Sequence, residues 1–257
     1  MAIRKILSTI VILLTLSNYA FAVNVKGRLE WVNKIEMRVL ESGVVEKVTV
    51  NPGDRIKKGQ LLLRMDQRET AAKLLQANAQ IAKADIGLAD AIRALERTQE
   101  LFDRGLIAEE EMKDAELILS AAEADQQAAK ANQAAAQVSH ERTELRSPFN
   151  GIVISRNTFT GDVIYKTLQQ TPLISIAQNQ QMLARVLLTA GVIQKYKKGQ
   201  VAKVAIRGKN YTGKIHSLGV EPVRIDMNGA VYELDVIFNN TSHALLRPAE
   251  SVLVSLP

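Results

Sequence analysis

The stretch Val50-Asn51-Pro52-Gly53-Asp54-Arg55-Ile56-Lys57-Lys58-Gly59-Gln60-Leu61-Leu62 decides the fold, because its pattern returns far down the chain. In the first copy, Gly43-Val44-Val45 is followed ten residues on by Gly53-Asp54 and then by the apolar run Leu61-Leu62-Leu63. In the second, Gly151-Ile152-Val153 is followed at the same distance by Gly161-Asp162 and then by Leu173-Ile174-Ser175-Ile176. Proline presets φ and glycine supplies a positive φ, so Asn51-Pro52-Gly53-Asp54 reads as a turn, and Lys57-Lys58-Gly59 as a second. Val39, Val45, Val48, Val50 and Ile56 are β-branched between these punctuation marks, as in short strands. Gly43, Gly53, Asp54, Gly59, Gly151, Gly161 and Asp162 are the expected turn residues of the two β halves.

Between the copies the period changes. Leu74, Ile81, Leu88, Leu95 and Phe102 stand seven apart, with Ala77, Ala84, Ala91 and Thr98 between them. This is a heptad seam. Asp103-Arg104-Gly105 ends it, with Gly105 expected as a left-handed cap. A second helix is expected from Glu109-Glu110-Glu111, whose charges favour the positive end of the helix dipole. Ala115, Ala122, Ala129 and Ala136 repeat every seven, joined by Met112, Ile118 and Leu119. The short turn requires the two helices to fold back on each other, and Ser147-Pro148 is the expected stop. Asp125, Gln126, Gln127, Lys130, Asn132 and Gln133 make the second helix polar, so a narrow seam must hold a wet hairpin. Association with neighbouring hairpins would bury more of the alanine.

Beyond Asn179 the chain alternates again. Strands are expected at 182–188, 201–206, 213–218, 231–238 and 251–256, enough for a small barrel with 23–31 as a sixth strand. Trp31 is expected in core or rim packing. The fold class is therefore α+β: a β domain of 39–66 and 147–178, split by an α-helical hairpin over 67–146. A β-barrel over 179–257 follows, joined by 23–38.

Residues 1–22 read as a signal peptide, with Arg4 and Lys5, an apolar core over 6–16 and an Ala20-Phe21-Ala22 cleavage site. An uncleaved anchor is the alternative. The chain has no cysteine, which rules out a lipoprotein lipid and disulfides. The formal net charge of +6 includes Arg4 and Lys5; with 4% aromatics it is a poor fit to nucleic-acid binding. His140, His216 and His243 share no metal-ligand spacing, and no triad, GxGxxG or phosphate loop is present. No catalytic residue, metal or cofactor is expected, and the protein is not read as an enzyme.

The two halves, Gly43 to Asp66 and Arg146 to Ile176, resemble a split biotinyl/lipoyl-like domain. With Arg146-Ser147-Pro148-Phe149-Asn150-Gly151-Ile152-Val153 they are similar to periplasmic adaptor subunits: the membrane fusion proteins, HlyD/RND-type, of tripartite efflux and type I secretion systems. Leu245-Leu246-Arg247-Pro248-Ala249 is similar to the end of their β-barrel, with alanine where the family has glycine. The resemblance implies a periplasmic adaptor at the inner membrane, bridging an inner-membrane transporter and an outer-membrane channel and self-associating into a ring, by family resemblance a hexamer. At the hairpin tip it implies channel contacts from Arg97, Leu101 and a third position, here Ala108 in place of the family's serine. It also implies a reduced or missing membrane-proximal domain after Pro257. A resistance-nodulation-division (RND) pump is the preferred transporter and an ATP-driven (ABC) exporter the alternative. A swinging-arm carrier needs an acceptor lysine on the turn between the halves, and the helical insert after Met65-Asp66 takes that place. A periplasmic coiled-coil scaffold without a transport role stays open.

Overall fold

The computed structural model describes residues 23–168, 171–227, 229–240 and 245–257; the signal-peptide reading of residues 1–22 and the histidine at 243 lie outside them. The chain forms two compact units, one of residues up to Ile35 with Asn150–Ile152 and Ala177–Pro257, the other of Glu36–Phe149 and Val153–Ile176.

The first unit is a closed barrel. Its strands are β1 (Val23–Trp31), β10 (Gln181–Thr189), β11 (Val201–Ile206), β12 (Lys209–Leu218), β14 (Gly229–Asn239) and β15 (Ser251–Leu256). They run in the order β10-β1-β15-β11-β12-β14, and β10 pairs back to β14, so no edge is left among the six. Residues 23–31 are thus the sixth strand. Inward positions carry Leu29, Met182, Val186, Val204, Leu234, Val236, Val254 and Leu256, all buried, with Trp31 partly buried against them. A bidentate pair seals one wall: Arg185 donates from Nε to Asp235 Oδ1 at 2.8 Å and from Nη2 to Oδ2 at 3.0 Å. A short helix, α3 (Ala190–Ile193), follows β10, and β13 (Arg224–Asp226) adds to β14 outside the closed ring.

The second unit holds the doubled motif. Its strands are β2 (Lys34–Met37), β3 (Gly43–Val48), β4 (Arg55–Ile56), β5 (Leu61–Met65), β6 (Glu144–Arg146), β7 (Gly151–Arg156), β8 (Val163–Ile164) and β9 (Ile174–Ala177). They make two four-stranded sheets, β2-β9-β7-β4 and β6-β5-β3-β8. The copies interlock reciprocally. Gly53 N–H donates to Val153 O and Gly161 N–H to Val45 O, each at 2.8 Å. In return, Val153 N–H donates to Asp54 O at 2.9 Å and Val45 N–H to Asp162 O at 2.8 Å. Each aspartate also accepts the amide three residues before it, Asn51 at 2.7 Å and Phe159 at 2.8 Å. Gly53 and Gly161 have φ of 94° and 95°, the left-handed region that a Cβ disfavours. Each turn is closed within its own half, Asp54 N–H donating to Asn51 O at 3.1 Å and Asp162 N–H to Phe159 O at 3.2 Å, and is then tied to the other half by the reciprocal bonds. Gly59 also has positive φ. Gly43 and Gly151 depart from the expected turn role: each is the first residue of a strand, β3 and β7. At Gly43 a Cβ would come within 3.2 Å of Met65 Cε, so close packing is the constraint there.

Between the halves rise α1 (Arg68–Asp103) and α2 (Glu109–Glu141). At about 1.5 Å per residue each is roughly 50 Å long. Ala77 and Ala91 of α1 and Ala115 and Ala129 of α2 are buried along the seam. The polar seam residues of α2 bond across to α1: Gln126 Nε2 donates to Asp85 Oδ1 at 2.7 Å and Gln133 Nε2 to Asn78 Oδ1 at 2.9 Å. Two expectations need correction. Ile118 is off the seam and exposed, because its neighbour Leu119 takes the inward position. Helix α2 stops at Glu141, short of Ser147-Pro148, because residues 144–146 are drawn into a strand against β5, pairing Leu61 with Arg146.

Candidate functional site at the hairpin tip

Helix α1 ends in a Schellman motif. Gly105, at φ 69°, donates its amide to Phe102 O at 2.8 Å, and Leu106 donates to Leu101 O at 3.0 Å. The next helix begins without such help: its N-cap is Ala108, extended at φ −81° and ψ 159°, with no side-chain cap bond. Glu109, Glu110 and Glu111 in the first turn offset this by facing the positive dipole end. The tip is therefore fixed by backbone bonds within a few residues and needs no contact elsewhere in the chain.

Arg97 and Leu101 stand one turn apart on α1 and share a face. Both lie off the heptad seam, and both are exposed. Arg97 has no intramolecular ion pair among the described residues. Leu101 and Phe102 are each about 40% exposed, and Leu106 is 66% exposed. The tip thus presents a free guanidinium beside apolar side chains, with Ala108 exposed at the start of α2. The heptad spacing puts Phe102 in the seam and gives no role to Leu106. The seam runs out before Phe102, and the signal for Leu106 was its place directly after the capping glycine.

A second surface runs along the outside of the hairpin. Ala72, Leu75, Ala79, Ala82, Ile86 and Ala89 follow a 3-4 spacing on α1, opposite its seam, and all but the half-buried Ala89 are exposed. Leu117, Ala121, Ala124, Ala128, Ala131, Ala135 and Val138 do the same on α2. Each helix therefore carries two apolar stripes, and the hairpin uses one of each.

The hairpin base is polar and internally paired. A cleft of about 600 Å³ is lined by Val44, Glu46, Arg64, Asp66, Gln67, Arg68, Ala71 and His140. Its cations are committed: Arg64 pairs with Glu46 at 2.9 Å and Arg68 with Asp66 at 2.5 Å. Hydrogen bonding to Arg68 holds the Asp66 carboxyl down at about 2. Asp66 also accepts the Arg68 amide at 3.0 Å, capping the start of α1. His140 Nδ1 lies 3.1 Å from Thr70 Oγ1, joining the two helices at their base. Among the described residues no cluster of acidic, cysteine or histidine side chains could hold a metal ion, and no helix is long and apolar enough to cross a membrane.

This build, a barrel-sandwich opened by a coiled-coil hairpin with a free tip, is that of the membrane fusion proteins. Residues 33–177, more than half of the chain, match the CzcB-like barrel-sandwich hybrid domain, and the chain belongs to that family. It is 26% identical over 223 residues to the macrolide export protein MacA of Yersinia pestis, covering 80% of this chain and 60% of that one. To the multidrug resistance protein MdtA of Escherichia coli it is 25% identical over 226 residues, covering 85% of this chain and 54% of that one. The chain thus spans little more than half the length of these relatives. Among solved structures, the membrane fusion protein Spr0693 of Streptococcus pneumoniae R6 superposes with a TM-score of 0.72 at 18% identity, covering 92% of this chain and 99% of that one. A MacA-MexA chimera carrying the Pseudomonas aeruginosa MexA α-hairpin superposes with a TM-score of 0.67 at 25% identity, covering 93% and 82%.

Proposed function

We propose that the protein is a periplasmic adaptor, without turnover of its own, that couples an inner-membrane transporter to an outer-membrane channel for efflux or export. The observation that carries this reading is the tip. Arg97 and Leu101 are exposed and off the seam, and Arg97 forms no ion pair among the described residues, at the end of a hairpin about 50 Å long. An exposed guanidinium beside apolar side chains suits a tip that docks on a partner. The names of the relatives, macrolide export and multidrug resistance proteins, agree with this role.

The channel side is carried by Arg97, Leu101 and the position of Ala108. The outer stripes serve self-association: α1 of one copy packs against α2 of the next, and repetition of that contact closes a ring, taken as six copies. An RND-type pump is the preferred transporter and an ABC-type exporter the alternative. Export follows from the signal peptide, cleaved after Ala22, with the mature protein held at the inner membrane.

The test is purification of the tagged protein from native membranes, with co-purifying proteins identified by mass spectrometry. The reading predicts a channel and a transporter, with loss of the channel but not the transporter in Arg97→Asp and Leu101→Asp. Unchanged channel recovery in both variants overturns the tip assignment. The family of the recovered transporter decides between the RND and ABC readings.

A further inference from the structure

The strand registers gather one unusual set of residues at one end of the barrel. Val23 pairs with Leu256, Thr189 with Val231, and Leu218 with Leu234, so the start of β1 and the ends of β15, β10 and β12 lie together. Gly199 N–H donates to Ile215 O at 2.8 Å, which brings the turn before β11 to the same end. The chain leaves β1 at Trp31 and re-enters β10 at Gln181 at the other end, where Trp31 and Met182 pair.

At the first end the surface is amphiphilic. Val220 is 90% exposed, Ile225 is 78% exposed, and Met227 is fully exposed, with Val223 and Val23 about half exposed. Soluble surfaces rarely hold that many bared aliphatic side chains within one loop and strand. Beside them, Ile193 and Tyr196 are buried in the barrel core and clamp a segment that projects three exposed lysines, Lys195, Lys197 and Lys198. The turn is further fixed by Gln200, whose Oε1 accepts the Lys197 amide at 2.8 Å. None of the three lysines has an ion pair among the described residues. Arg224 and Asp226 on β13 neutralise each other at 3.5 Å, which leaves Glu221 as the nearby exposed carboxylate.

We infer that this end of the barrel lies on the surface of a bilayer containing anionic lipid. Val220, Ile225 and Met227 enter the headgroup boundary, and the three lysines face the phosphates. A lipid surface is indicated by the combination of three exposed lysines, without ion pairs among the described residues, and neighbouring exposed aliphatic side chains. The inference rests on the envelope location proposed above, and on neither tip docking nor the transporter class.

The chain has no cysteine, so a single one can be placed at will. The probes are Met227→Cys and, at the opposite end, Lys209→Cys, each labelled with an environment-sensitive fluorophore on the full protein with the N terminus the cell leaves on it. Vesicles of phosphatidylcholine alone, or with phosphatidylglycerol, are then added. The expected result is a blue shift at position 227 with the anionic vesicles and none at 209. Adding Lys195→Gln, Lys197→Gln and Lys198→Gln should raise the lipid needed for half the shift about fivefold per lysine, on the order of a hundredfold together. No shift at 227 overturns the inference. So does a shift indifferent to lipid charge and to the lysines. A shift that follows protein concentration without lipid also overturns it, because a second copy then covers the patch. Tip docking is read by channel recovery and is unaffected by any of these outcomes.

Discussion

Ala108→Ser should stabilise the hairpin while adding a single oxygen atom. Residue 108 is already extended, at φ −81° and ψ 159°, the conformation of a helix N-cap. A serine hydroxyl there accepts the amide of Glu110 or Glu111, which have no intrahelical acceptor. Glu111 stands three residues on, so the substitution completes a capping box in which its carboxylate accepts the amide of residue 108. The gain from a serine cap over alanine is about 1 kcal/mol, within a range of roughly 0.5–2. Burial adds nothing, since residue 108 is exposed. The most direct assay is hydrogen exchange at the amides of residues 109–113: about 1 kcal/mol slows exchange through local opening about fivefold. In a chain of this size the melting temperature should rise about 2–4 °C if the hairpin melts with the rest. Unchanged or faster exchange refutes the cap assignment. Ser and Ala variants compared in channel recovery then separate a capping role for this position from a docking one.

Ala249 occupies the left-handed region at φ 64° in the turn after Pro248, where the resembled family has glycine. Ala249→Gly removes about 1–2 kcal/mol of backbone strain and returns about 0.4–1 to the unfolded chain, a net gain of about 0.5–1 kcal/mol readable by urea denaturation. Gly53→Val and Gly161→Val should each cost at least about 1–2 kcal/mol and shift the melting curve by similar amounts, since both sites have room for a side chain and differ from a tolerant position only in φ. Asp235→Ala should cost about 2 kcal/mol in chemical denaturation, less than the roughly 3–5 of a fully buried pair, because Arg185 keeps Glu233 at 3.2 Å. The Asp66 carboxyl, depressed from 3.8 to about 2 chiefly by hydrogen bonds from Arg68, should titrate near that value by carbon-detected NMR. Its contribution to the start of α1 is then complete above pH 3.8 and lost only as the pH falls through about 2.

The β halves and the seam were legible because both are periodic. Paired glycine-aspartate turns at equal distances announce a duplicated unit, and apolar residues seven apart announce a coiled coil. What was not legible depends on partners far away in sequence. The amides of Gly53 and Gly161 bond to residues about a hundred positions off, so the mutual dependence of the halves appears only in space. The end of α2 is set by the pairing of β6 with β5, which outcompetes a helical continuation that the local sequence favours. Ile118 and Leu119 are equally apolar neighbours, and only the helix phase decides which turns inward. At the tip, only resemblance points to Arg97 and Leu101; the structure adds that both are exposed, that Arg97 has no ion pair among the described residues, and that Leu106 and Phe102 lie beside them. The amphiphilic barrel end was invisible in sequence, because Val23, the lysine turn and β13 meet only through strand register.

Photo-crosslinking from position 103, at the last residue of α1, in living cells tests the adaptor role most directly. The role predicts adducts with an outer-membrane channel, recovered together with an inner-membrane transporter and lost in Arg97→Asp. Adducts confined to other copies of this chain, or to periplasmic proteins unrelated to transport, would contradict it and leave the hairpin a scaffold.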